Sequence, residues 1–140
     1  MALKMTRADL EQFVAQVFPQ VAADFTVEDV APMEITIRLN VAERHLRPGG
    51  TVSGPAMFGL ADVAVYLAVM AMIGPKALAV TTNSSLDFMR KPAAETDLIA
   101  QCRLLKLGRV LAVGDVLIYS EGMAEPVARA AMTYSIPQKG

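Results

Sequence analysis

Cysteine, histidine and tryptophan are nearly missing from this 140-residue chain, which holds one, one and none of them. A single cysteine, Cys102, makes no internal disulfide, and a reducing cytoplasm is the expected home. With His45 as its only possible nitrogen partner it builds no Cys/His zinc site, so no metal is expected. Charge is scarce too: charged residues are 19% of the chain, and 13 Lys+Arg against 14 Asp+Glu leave a net charge of −1. That balance leaves no basic stripe for nucleic acid. Disorder is excluded by a hydrophobic share of 54% and a mean hydropathy of +0.39. The longest apolar run, Val63–Ile73, has 11 residues, short of the ~20 that a membrane span needs. Asp9 and Glu11 fall where the apolar core of a secretory leader would lie, so none is expected. Without repeats or a Pro/Gly/Ser-rich linker, residues 1–140 read as one domain.

What is present is unevenly spread. The 28 residues between Arg47 and Lys76 contain one charge, Asp62. Around it the pattern is helical: Ser53 or Gly54 as N-cap, Pro55 in the first turn, apolar residues on every face to Ile73, then Gly74-Pro75 as a stop. A helix apolar all round is surrounded by protein. An earlier helix over about 6–18 carries one stripe of Leu10, Phe13, Val14, Val17 and Phe18 and ends at Pro19. Residues 20–32 read as loop with a short extended piece around Phe25–Val27. Met33–Val41 alternates cleanly as a strand, and Val80–Phe88, Leu98–Leu107, Val110–Tyr119 and Val127–Ile136 also read as strands, with a tight turn at Gly108-Arg109. Five strands with mainly short connections predict an α+β fold: an antiparallel sheet wrapped around a long central helix of about 55–73, the hotdog arrangement.

Asp62 admits several readings. It reaches solvent through a gap in the sheet, pairs with Arg44, Arg47 or Arg90, caps a loop, or serves as base or nucleophile in an apolar cleft. Unpaired burial costs several kcal/mol, so it needs a partner or a purpose. The preceding loop, Arg44 to Gly54 (RHLRPGGTVSG), is rich in glycine, and a helix-start amide at Gly54 is placed to polarise a carbonyl; an ordinary loop and cap explains it equally. Gly49 and Gly54 have Walker spacing, but Pro55-Ala56 stands where Lys-Ser/Thr is required. No G-x-S-x-G elbow occurs, and His45, as a lone loop histidine, is expected to be solvated.

The same loop followed by Leu60-Ala61-Asp62 resembles the PaaI-type hotdog acyl-CoA thioesterases, within the 4-hydroxybenzoyl-CoA thioesterase superfamily. Ala79 to Asn83, Leu86 to Pro92, Leu105 to Arg109 and Val127 to Ala130 extend the likeness over roughly residues 33–136. The resemblance implies that Asp62 is the acidic catalyst, that the Gly54 amide polarises the thioester carbonyl, and that Thr81 helps place water. It implies a dimer or tetramer whose site lies between subunits, acid and glycine loop coming from opposite chains. Coenzyme A would be held at Arg90, Lys91, Lys106, Gly108 and Arg109. Two positions depart from the pattern: Ser53 replaces the usual histidine, and Arg47 replaces Asn or Gln. Arg47 either binds the developing oxyanion or pairs with Asp62 and silences it, leaving a non-catalytic acyl-CoA-binding protein. The expected acyl chamber is lined by Met57, Phe58 and Tyr66.

Overall fold

The structure, a computed structural model, describes residues 2–138. Helix α1 (Arg7–Val17) starts at a capping box: Thr6 Oγ1 accepts from the Asp9 amide, and the Asp9 carboxylate accepts from the Thr6 amide. Six strands flank the long helix α2 (Gly54–Ile73): β1 (Phe25–Ala31) and β2 (Glu34–Leu39) before it, and β3 (Val80–Phe88), β4 (Leu98–Leu107), β5 (Leu111–Ser120) and β6 (Ala128–Ser135) after it. They form one antiparallel sheet in the order β1-β2-β4-β5-β6-β3. Its concave face holds α2, the hotdog arrangement.

Strand β1 begins where the short extended piece is expected, at Phe25, but runs on to Ala31 where loop is expected. It pairs with β2 along its whole length, but the register shifts between Val27 and Asp29. That bulge inserts one residue and breaks the period-two alternation by which a strand is recognised.

Helix α2 is capped by Ser53, whose Oγ accepts from the Ala56 amide at 3.3 Å. At 20 residues it is long and apolar enough to cross a membrane, yet most of it is buried against the sheet. Burial on every face holds only from Ala64 onward. In the first half Pro55 and Phe58 are exposed and Asp62 and Val63 half-buried, so one face is open. Where helix and sheet meet most closely, Gly114 on β5 faces Val65; a Cβ there would lie 2.9 Å from Val65 Cγ2. Val65 is fully buried and β-branched, so it cannot swing away. Gly114→Ala is expected to lower unfolding stability by about 1–3 kcal/mol in denaturant titration.

The two sheet edges differ. On β1, the Val27 amide donates to Glu11 of α1 at 3.3 Å, which blunts that edge. Strand β3 has no neighbour beyond β6 among the described residues, and Val80 and Phe88 are each more than half exposed.

Candidate functional site

Asp62 lies on α2 where β3 and β6 pass beside it. The register sets Thr81 opposite Tyr134, and both hydroxyls donate to Asp62 Oδ1, at 2.6 Å from Thr81 and 2.7 Å from Tyr134. Tyr134 is buried, and its OH also lies 3.2 Å from the Asp62 carbonyl. Burial, then the neighbouring Asp62 charge, pushes the Tyr134 phenol well above its ordinary range, so it stays a proton donor. Asp62 Oδ2 has no hydrogen-bond partner among the described residues. The Asp62 side chain borders a cavity of about 550 Å³ walled by Phe18, Val21, Tyr66 and Val80.

The ion-pair reading of Asp62 is not realised within the chain. Arg44 pairs with Asp24, and Arg90 reaches Glu125 at 3.3 Å and the Pro126 carbonyl at 2.8 Å. Arg47 lines a different cavity. Tyr134 is the partner that sequence reasoning missed; it reads as one more residue of a strand, and only the β3–β6 register brings it to the carboxylate.

The second cavity, about 570 Å³, surrounds Gly54. Its loop is tied by the Leu46–Val52 bridge, by Arg47 N–H to the Thr51 carbonyl (2.9 Å) and by Ser53 N–H to the His45 carbonyl (2.8 Å). Gly49 and Gly50 take φ of 99° and 82°, so these glycines serve the turn itself. His45 is not the solvated loop residue expected. It is buried, its Nδ1 accepts from the Ala42 amide at 2.9 Å, and its Nε2 lies 3.3 Å from Asp24. Burial opposes ionisation of Asp24, but hydrogen bonds from Arg44 and His45 outweigh it and hold that carboxyl below its usual value.

A helix start leaves four amides without intrahelical partners. Here Ser53 N–H goes to the His45 carbonyl, Ala56 N–H goes to Ser53 Oγ, and Pro55 has none; Met57 N–H makes the first intrahelical bond, to the Ser53 carbonyl at 3.1 Å. The Gly54 amide is the one donor left over among the described residues. Around it stand Arg47, Arg90 and Lys91, with no carboxylate in the cavity wall.

Gly54 and Asp62 are eight residues apart on one helix, about 12 Å along its axis. Their cavities share no wall residue, so one chain does not present amide and carboxylate to the same carbonyl. The expected acyl wall divides likewise: Met57 lines the Gly54 cavity, Tyr66 the Asp62 cavity, and the exposed Phe58 neither. Lys106, Gly108 and Arg109 sit at the β4–β5 turn, at the Thr81 end of the sheet; Arg90 and Lys91 follow β3 at its other end. Cys102 is buried, its thiol pushed up to about 12 by burial and then by Asp115, which leaves it unreactive.

The thioesterase superfamily model matches residues 49–127, a span that contains Gly54, Asp62 and Thr81. The chain belongs to the thioesterase superfamily. Among solved thioesterase-superfamily relatives, a protein from Silicibacter sp. TM1040, provisionally named a thioesterase, is 62% identical, with a TM-score of 0.92 over 98% of this chain and 95% of its own. A point mutant of the phenylacetic acid degradation protein PaaI from Thermus thermophilus is 30% identical, with a TM-score of 0.73 over 85% of this chain and 99% of its own. A thioesterase from Haemophilus influenzae shares the fold at 19% identity and a TM-score of 0.84, over 98% of this chain and 95% of its own. No curated protein matches the chain. Thioester hydrolysis is the activity these relatives support.

Proposed function

We propose that the protein hydrolyses acyl-CoA thioesters in the cytoplasm as a homodimer paired edge to edge through β3. The observation that carries this reading is the separation of two complementary half-sites at opposite ends of β3. Thr81, beside Asp62, is the second residue of the strand; Phe88, whose ring lies 3.5 Å from the Gly54 Cβ position, ends it. An antiparallel two-fold pairing of β3 with its copy sets the Thr81 end of one chain against the Phe88 end of the other. Each carboxylate then meets the partner's free amide, twice per dimer. The same pairing turns the β4–β5 turn with Lys106, Gly108 and Arg109 toward the partner's Arg47, Arg90 and Lys91, a cationic surround suited to the phosphates of coenzyme A.

In this reading the thioester carbonyl accepts from Gly54 N–H. Asp62 Oδ2 takes a proton from water as its oxygen adds to the carbonyl carbon, or attacks that carbon itself. The carbon–sulfur bond breaks and its electron pair leaves on the thiolate. In the first route Asp62 passes its proton to the thiolate; in the second, water hydrolyses the mixed anhydride left on Asp62, releasing the acid, restoring the carboxylate and supplying the thiolate's proton.

The test is release of free thiol from a panel of acyl- and aryl-CoA esters. It is combined with complementation: Asp62→Asn and Gly54→Pro chains, each inactive alone, are co-refolded. Half the dimers are then mixed and carry one intact site of two, so activity returns to about a quarter of wild type. Recovery of none means that carboxylate and amide act from one chain. Tight CoA-ester binding in calorimetry without thiol release would replace hydrolysis by the non-catalytic reading.

A further inference from the structure

Phe18 lines the Asp62 cavity from outside the sheet and helix that carry the carboxylate and its partners. It is the C-cap of α1, its amide bonded to the Val14 carbonyl at 2.8 Å and its carbonyl accepting from Val21 at 3.1 Å, so its backbone is fixed. Its ring meets Tyr66 edge-on, with centroids 5.7 Å apart at 74°. Tyr66 is itself immobile: buried, stacked on Phe13 at 6.0 Å, and bonded through its hydroxyl to the Ala77 carbonyl at 3.0 Å. Tyr66 continues at 5.9 Å into Tyr134, the tyrosine that holds the Asp62 carboxylate. The three rings form an unbroken wall running from the reactive carboxylate outward. Phe18 closes its far end, with 37% of its surface exposed. Among the described residues, Asp62 is the only charged group that this cavity presents.

We infer that Phe18 sets the size of the acyl group and that the cavity takes an uncharged, apolar one. The inference rests on the thioesterase reading. The Tyr134 ring beside the carboxylate leads to Tyr66, and an acyl chain laid along that wall from a carbonyl carbon at Asp62 Oδ2 meets the Phe18 ring. The wall offers no cation for a second carboxylate, and an anionic tail would be desolvated beside Asp62. Methylene-sized differences in an apolar pocket change kcat/KM by about 10-fold or more, so the ring's presence is a strong filter.

The experiment measures kcat/KM for butyryl-, octanoyl-, dodecanoyl- and succinyl-CoA with wild type, Phe18→Ala and Phe18→Trp. Phe18→Ala is expected to raise the dodecanoyl-to-butyryl ratio about 10-fold or more and Phe18→Trp to lower it. Succinyl-CoA, equal in length to butyryl-CoA, is expected to be turned over at least about 10-fold more slowly by wild type. A merely structural role at the end of α1 would scale all substrates together and leave the ratio alone. Wild-type activity with ratios unmoved in both variants overturns the role of Phe18, and comparable turnover of succinyl- and butyryl-CoA overturns the uncharged class. Absence of thiol release from every ester by wild type overturns the thioesterase reading, and this inference with it.

Discussion

Asp62→Asn is expected to reduce kcat for thioester hydrolysis by about 10³-fold while leaving KM within about threefold and the fold intact. The geometry makes this a clean substitution. Thr81 and Tyr134 both donate to Oδ1, and the amide oxygen of asparagine, with two lone pairs, accepts both bonds. The NH2 group then occupies the place of Oδ2, which has no partner to lose among the described residues. What disappears is the free carboxylate oxygen, and with it both routes to the carbonyl carbon. Thermal denaturation should therefore match wild type within a few degrees as steady-state thiol release collapses. Activity surviving in Asp62→Asn would remove Asp62 from the chemistry and leave its two hydroxyl partners as a structural cluster.

The features legible in the sequence were those written in local order. Helix α2 announces itself through Ser53, Pro55 and an apolar run to Ile73, and its ends fall where capping chemistry puts them. Strands β3 to β6 lie within a residue or two of the runs read as strands where the helical period disappears after α2. Only the start of β1, Phe25–Val27, was legible, because a bulge between Val27 and Asp29 disrupts its alternation and the rest of the strand is held by pairing with β2. The candidate site divides along the same line. Asp62 stands out as the lone charge in an apolar stretch, whereas Tyr134 lies 72 residues away and reaches it only through strand register. His45 and Asp24 were illegible as a pair for that reason: the chain that closes their contact passes through β1 and β2. Arg47 could not be assigned from sequence because its two readings differ only in which cavity it enters. Within one chain the structure puts it with Gly54 and away from Asp62, whereas the pairing proposed through β3 would bring it toward the partner's Asp62.

Gly54 yields the second large effect, one that separates a backbone donor from the residue carrying it. Gly54→Ala keeps the amide, and its Cβ would rest 3.5 Å from Phe88 Cζ, ordinary van der Waals contact. Hydrolysis should stay within about threefold of wild type, because the donor to the oxyanion is untouched. Gly54→Pro adds three ring carbons where alanine adds one, and it removes the N–H. The position tolerates it: Gly54 opens α2, where the fixed φ of proline suits the first helical turn, and Ser53 before it is already extended at φ −74°, ψ 158°. Its amide makes no bond that the fold would miss. Loss of one such donor costs about 10²- to 10³-fold in kcat in acyl-transfer enzymes, and a loss of that size is expected here with the melting temperature nearly unchanged. Equal losses in alanine and proline variants would mean that space beside Phe88, and not the amide, is what the site requires. A loss confined to proline makes the one unpartnered amide of the helix start the group that bears the developing negative charge.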